Sequence, residues 1–493
     1  MKKTTISIFA LSAMAVSTSF AWDAQVTNFF FGNKDEEATS QSWSLISNWS
    51  TEGNNASAYP SVIPGTSTDD DINGSHKVVF RPDSNKNGGQ YVKGVTDVLD
   101  VDMDVKIHQI QVNNIANSIT NVRAVEDGSL TFLPGLQTTA TKQTLHASII
   151  MDNNNDDFRV GSDFSVCSAK NINGQAANPF FWQRASKNLY LGAADGMSTI
   201  TIKAYEGTSS TGEFQFHFRG SGNIVVNGKL TTNVYKDAEK TTKLTAMVFI
   251  KKNGDANAYG NTVFQAAQTN DVDTITVAQG LTAVFDMKNG AKAVAEKNTR
   301  ANNGVMVAFR ENSTIRFDGN NQLQTTTVIA PKFQTGALSA GLIDLNNTSQ
   351  EAGMLRVWMT TNSNSGKFAL DFGDEKNTAN TLKLHDSFSV LFTDYTTSEA
   401  PIFDPTTSEF LIKNFEQGKD QFLVKNKISD DVLSAVYFEG LGTKGVDYEV
   451  VQNQLANGFW SLSYNAIPEP STYAGILGAL AIAFAFMRRQ PRK

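Results

Sequence analysis

The sequence predicts an all-β protein, with a parallel β-helix (β-solenoid) as the architecture and a single hydrophobic helix at the C-terminus. Three observations carry that expectation. In "DVDMDVKIH", Val101, Met103, Val105 and Ile107 alternate with Asp100, Asp102, Asp104, Lys106 and His108. Period two is the mark of a strand with one buried and one wet face. A short unit also recurs along the middle of the chain: a polar turn, a β-branched strand, then a Gly or Asn turn. Finally, charged residues make up only 18% of the 493, while Gly reaches 36 and Phe 32, a texture of turn-rich β-structure.

The N-terminus reads as an export signal. Lys2 and Lys3 precede an apolar core from Ile6 to Val16, and Ser19-Phe20-Ala21 supplies a small-x-small cleavage site. Residues 1–21 are therefore expected to be a signal peptide, with Trp22 the first mature residue. Trp43, Trp49, Pro64 and Asp69–Asp71 then lead into a first strand at Lys77–Phe80.

Residues 22–346 are expected to form the solenoid. The recurring unit is seen in "GSLTF", "MSTITIKAYEG", "SGNIVVNGKL", "DTITVAQGLTAVF" and "NSTIRFDGNNQL". Aligned on Leu130, Ile200, Ile224, Ile275 and Ile315, the copies are 70, 24, 51 and 40 residues apart. A rung of a solenoid cannot bury its inner face alone and needs neighbours above and below. Irregular gaps are also what a run of β-sandwiches would give, and that is the alternative fold. After a soft boundary at Asn346–Gly353, residues 347–465 are β-rich and form a sandwich-like or capping section. Ser429 is placed to cap a short helix in "SDDVLSAV", and Trp460, Leu462 and Tyr464 share one face of a final strand.

The chain closes on "PEPSTYAGILGALAIAFAFMRRQPRK". Tyr473–Met487 holds no charge over 15 residues, so a helix there is ~22 Å long, against the ~20 apolar residues of a comfortable span. Arg488, Arg489, Arg492 and Lys493 follow as membrane-stop charges that favour the cytoplasmic side. The plain reading is a short transmembrane anchor. Pro468-Glu469-Pro470, the apolar run and the Arg488-Arg489 end resemble the PEP-CTERM sorting signal of exported bacterial proteins. That resemblance covers residues 468–493. It implies processing by a membrane transpeptidase, the exosortase, near Pro468-Glu469-Pro470, and delivery to the cell surface or to extracellular polysaccharide. The glycine-turn strands resemble β-helical passengers, including those with autotransporter-associated β-strand repeats.

Charge and chemistry narrow the function. Of 42 basic residues, Lys2, Lys3 and four tail cations lie outside residues 22–470; this leaves 36 against 49 acidic, a net of −13. Such a surface argues against nucleic acid as a partner. The lone Cys167 allows no intramolecular disulfide and reads as a small packed hydrophobe. His76, His108, His146, His217 and His385 never fall at paired ligand spacing, and no catalytic motif is present. His217 alternates with Phe214, Phe216 and Phe218 and reads as a solvent-side strand residue. No cofactor is expected. Ca²⁺ is the one ion with a case: Asp69–Asp71, Asp152–Asp157 and the Asp100, Asp102, Asp104 row offer hard oxygen ligands, although Asp and Asn are also ordinary turn residues. Trp43, Trp49 and Trp182 are candidates for stacking on glycan, with Tyr59, Phe180 and Phe181 near them. Packing against the first rung or inside a loop is the simpler account of each. The reading that claims least is a structural or adhesive surface protein. A polysaccharide-active enzyme and a non-catalytic carbohydrate-binding protein are the alternatives.

Overall fold

The computed structural model describes residues 27–31, 42–51, 61–70, 75–80, 98–113, 119–134, 147–152, 156–170, 176–204, 214–251, 260–299, 304–333, 341–360, 365–375, 378–393, 403–468 and 470–488. The chain is all-β, 48% strand and 5% helix, as expected. It divides into two compact units, Met1–Ala330 and Pro331–Lys493, so the division falls ahead of the Asn346–Gly353 stretch. The signal segment 1–21, Trp22 and Tyr59 lie outside the described residues.

In the first unit the chain winds through three sheets in turn. Val98–Val101 enters the second sheet, Asp104–Ile107 the third and Gln109–Asn113 the first. The next rung repeats the order with Asn121–Ala124, Ser129–Phe132 and Ser148–Asp152. Neighbouring rungs pair in parallel and in register. "DVDMDVKIH" is thus not one strand, as its alternation suggested, but two faces of a rung and the corner between them. Alternation survives the corner because each face independently puts every second residue inward: Leu99, Val101, Val105 and Ile107 are all fully buried.

Register turns the inward residues into columns. On the second sheet, Leu99, Val122, Val160, Leu191, Val226, Phe264, Phe285 and Phe317 lie one above another. On the first, Phe29, Val78, Ile110, Ile149, Phe181, Phe218, Ile250, Val277 and Phe309 do the same. All are buried. Phe264, Phe285 and Phe317 stack with ring centroids 5.6 and 5.5 Å apart, near the ~4.8 Å spacing of the strands that carry them. Each ring therefore finds its partner by backbone register alone.

The recurring unit proves to serve all three sheets. Leu130 and Ile200 belong to the third, Ile275 to the first, and Ile224 with Ile315 to the second. Their mixed spacings reflect one strand recipe used on three faces of a rung. The glycine in that recipe has a steric cause at Gly192, at the corner between second and third sheets. Its φ is +103°, and a Cβ there would come within 2.4 Å of Gly228 N on the next rung.

Beyond Lys229–Thr232, the described residues of the first unit add no strand to the third sheet. Buried Asn270 takes over the ladder's role. Its Oδ1 accepts from Leu230 N at 2.8 Å, and its Nδ2 donates to Ala293 O at 3.1 Å. An amide side chain carries the same donor and acceptor pair as a peptide, so the face is closed without a strand. At the other end, Thr27–Phe31 pairs antiparallel with Trp49–Ser50 and parallel with His76–Phe80.

The second unit is again built of stacked faces. Ile343, Leu370, Ile412 and Phe438 form a buried column on one, and Gln350, Leu382 and Phe422 line up on another. Its end is an antiparallel hairpin. Trp460–Ala466 pairs with both Gln421–Val424 and Tyr448–Gln454, turning at Gly458, whose φ is +79°. Ser429 caps the helix Asp430–Ser434 by accepting from Val432 N. Lys444 donates to the carbonyls of Leu433, Ser434 and Val436 at 2.6–3.0 Å, satisfying groups that a helix end leaves open.

The tail forms a helix, Pro470–Arg488, of 19 residues. Among the described residues no helix is long and apolar enough to cross a membrane. That corrects the expected transmembrane span. Polar residues open this helix and Arg488 closes it, so the uncharged apolar stretch falls short of ~20 residues. Pro468 and Pro470 are described; Glu469, Arg489, Arg492 and Lys493 lie outside the described residues.

Truncating Phe285 to alanine removes the middle ring of the Phe264–Phe317 stack. It should cost about 3–5 kcal/mol, read as a fall in the urea midpoint, whereas Met197→Ala on the surface should stay within about 0.5 kcal/mol. A second expectation concerns acid. His76 is buried against Phe29, and its Nδ1 accepts from Gly65 N at 2.9 Å, which requires the neutral ring. Burial pushes its pKa from 6.5 down to about 4. Above pH 6.5 folded and unfolded chains are both neutral here, and the stability is fully present. As pH falls towards 4 the unfolded chain alone takes up the proton, and stability worth up to about 3 kcal/mol is lost. Urea titrations across that range should show a shallower loss for His76→Asn, which keeps an acceptor and does not titrate.

Candidate binding surfaces

The third sheet of the first unit turns a polar face outward. Inward Leu130, Phe164, Ile200 and Leu230 are buried, so by alternation Ser129, Thr131, Ser165, Thr199, Thr201 and Thr231 project the other way. Parallel register aligns Thr131, Ser165, Thr201 and Thr231 in one column. These hydroxyls floor a groove of about 640 Å³.

One wall of the groove is a local excursion of the chain. Val234 and Leu244 join through their backbones at 2.8 Å, and Tyr235 bridges Lys243 in antiparallel fashion. Asp237 ties the tip, accepting from Thr241 N at 2.6 Å and Thr242 N at 2.8 Å. Tyr235, Lys240 and Lys243 reach the groove from this wall, and Lys203 from the sheet. Among the described residues Asp163 is the one carboxylate in the lining, and it accepts from Thr199 N at 2.8 Å. Below the wall, Asp271 meets Lys243 at 3.2 Å and Lys229 at 3.4 Å, and accepts from Thr231 Oγ1 at 2.6 Å. Burial works to raise its pKa, but the Thr231 hydrogen bond and the two ammonium groups hold it below the usual carboxylate range. Lys203 and Lys240 carry charge into the groove with no acid beside them among the described ion pairs.

A second outward face, on the first sheet, is aromatic and cationic. Phe180, His217 and Phe249 align across three rungs, as do Trp182, Arg219 and Lys251. Phe180 meets Trp182 edge-on at 6.3 Å, and His217 meets Phe249 at 5.7 Å. Cations cover the rings: Arg184 lies 3.4 Å from the Trp182 centroid, Arg219 5.0 Å from Phe180 and Lys251 5.3 Å from Phe249. His217 is not the solvent-side residue its alternation suggested. It points away from the core yet is buried beside Phe249, and its Nε2 donates to Gln215 Oε1 at 2.8 Å.

The glycan-stacking candidates separate. Trp43 and Trp49 are fully buried, 4.6 Å apart, with Trp43 Nε1 donating to Pro64 O and Trp49 Nε1 to Trp43 O. Neither offers a face to a ligand, which corrects their candidacy; they pack the first rung. Trp182 is on the outside, half-buried, with Arg184 over its ring.

The acidic rows are also separated by the fold. Asp100 pairs with Arg123 at 2.8 Å, Asp102 accepts from Ser44 N and the Ser42 and Ser44 hydroxyls, and Asp104 accepts from Ser129 Oγ. Asp70 pairs with Lys106, Asp152 lies 3.6 Å from Arg184, and Asp157 accepts from Asn188. Asp71 and Asn153–Asn155 lie outside the described residues. Among the described residues no three His, Cys, Asp or Glu converge as metal ligands. No family model, curated protein or solved structure matches this chain.

Sequence reasoning missed the hydroxyl groove. Its signal lies in the outward letters of "SLT", "TIT" and "KLTT", which flank the buried Leu130, Ile200 and Leu230. Cys167 is buried, and burial pushes its thiol up to about 12. Native protein should therefore resist iodoacetamide at pH 8, with one equivalent incorporated only in denaturant; rapid native labelling, read by mass, would contradict the burial.

Proposed function

We propose that the protein is an exported structural or adhesive component of the cell surface or extracellular matrix. Its C-terminal segment serves as an address read by a membrane transpeptidase at Pro468-Glu469-Pro470. The observation that carries the reading is stacked β-structure in each unit, with one closed end described in each. The first rung of the first unit is closed by an antiparallel strand and the Trp43–Trp49 pair, and the second unit ends in the antiparallel Tyr448–Ala466 hairpin. Open ends of stacked strands would pair with other chains, so these closures suit β-units displayed among many copies of themselves. The export and sorting segments read in the sequence supply the destination.

The groove favours a second reading, carbohydrate binding without catalysis. Sugar hydroxyls exchange hydrogen bonds with Ser and Thr. Glycoside cleavage by paired carboxylates needs two acids across the scissile bond, and the described lining offers Asp163 alone.

Intact mass tests the address. Protein recovered from the medium should lack Met1–Ala21 and the residues after the sorting element. Changing Pro468, Glu469 and Pro470 to alanine should leave the chain cell-associated with its tail. A released wild-type chain that keeps Arg488–Lys493 would sink the processing model.

A further inference from the structure

The groove on the third sheet is built from an unusual pairing for this molecule: a neutral hydroxyl floor under a cationic rim. We infer that it is a binding site for an acidic polysaccharide, laid along the stack across successive rungs. The inference rests on the carbohydrate-binding reading but not on the sorting tail.

Three features define the occupant. The floor column Thr131, Ser165 and Thr201 sets one hydroxyl per rung at the strand spacing of ~4.8 Å, and it ends at Thr231, whose hydroxyl is held by Asp271 and Lys243. A floor that repeats along the stack fits a ligand that itself repeats. Hydroxyls donate and accept alike, which matches the hydroxyl-rich surface of a sugar chain and gives no advantage to an apolar ligand. The rim then sets charge. Among the described residues Lys203, Lys240 and Lys243 line the groove with Asp163 as the one lining acid. Lys243 is paired with Asp271, and Asp163 keeps its charge while accepting from the Thr199 amide, so the rim stays net positive through Lys203 and Lys240. In a chain with formal charge −7, this local excess of cations is against the general trend. It favours a ligand bearing carboxylates at intervals, and disfavours a neutral glucan. Tyr235 stands in the same wall, where its ring adds a surface for a sugar face.

Lys203 and Lys240 do not have the same structural duties as Lys243, which is bound to Asp271 and Thr231. They are the positions for substitution. Lys240 has a φ of +56°, so asparagine is the replacement its backbone tolerates. The test is affinity electrophoresis of the purified mature chain in gels containing polygalacturonate, hydroxyethylcellulose or polyglutamate. Wild-type protein should be retarded by polygalacturonate, less so in high salt. Lys203→Gln and Lys240→Asn should each weaken retardation about two- to fivefold, and the double variant about tenfold. Thr201→Val, similar in shape but lacking the hydroxyl, should weaken binding to polygalacturonate and leave polyglutamate unchanged. Circular dichroism of each variant confirms its fold.

Equal retardation of the wild type and the folded double variant would overturn the assignment to this groove. Retardation by hydroxyethylcellulose alone, indifferent to the lysines, would leave carbohydrate binding standing and overturn acidic selectivity. Equal retardation by polyglutamate, with no response to Thr201→Val, would mean a general polyanion site and overturn the polysaccharide assignment. Retardation by none would overturn both this inference and the reading beneath it.

Discussion

Rung-on-rung burial is the constraint on which the remainder depends. A single rung has an inner face of only a few side chains per strand and no second layer of its own to cover them. Leu99 is buried because Val122 lies over it, Val122 because Val160 does, and so on to Phe317. Parallel in-register pairing is what keeps those columns aligned, since a slip of one residue would turn every inward side chain outward. The same register fixes the outside, where it lines up Thr131 with Ser165, Thr201 and Thr231, and Phe180 with His217 and Phe249. Core and candidate surfaces are therefore two consequences of one pairing rule.

That rule explains what was legible in the sequence and what was not. Period two revealed strands well, because each face of a rung obeys it independently. It could not reveal corners, since the alternation of Val101 and Val105 continues across Asp102 and Met103. Spacing failed for a related reason. Loops of very different length connect the same two sheets, so Val122 to Val160 takes 38 residues and Phe264 to Phe285 takes 21. A repeat whose rungs vary by that much has no period to find in one sequence. The Ser429 cap and the closing strands were readable because both depend on local chemistry.

Sites were harder to read than strands. Tryptophans drew attention as stacking platforms, yet two of the three are core, where large aromatics gain most. The third faces outward under a guanidinium. His217 shows the limit of alternation, which tells direction but not exposure: neighbouring aromatic rings bury a side chain that points away from the core. The groove is made of Ser and Thr, residues common in any β-protein, and only register shows that they form a column beneath lysines.

The most direct test is a distance across rungs. Asp104 and Lys229 both lie on the third sheet, outward-facing and separated by four ladder steps through Ser129, Asp163 and Thr199. Four strand spacings of ~4.8 Å put their backbones ~19 Å apart, although 125 residues separate them in the chain. Nitroxides on cysteines placed at these two positions, in a Cys167→Ala background, would be read by double electron–electron resonance. A narrow distribution near that distance, allowing for the label tethers, is the result a stacked solenoid gives. A broad distribution, or one centred at twice that distance or more, would contradict the register and with it both surfaces.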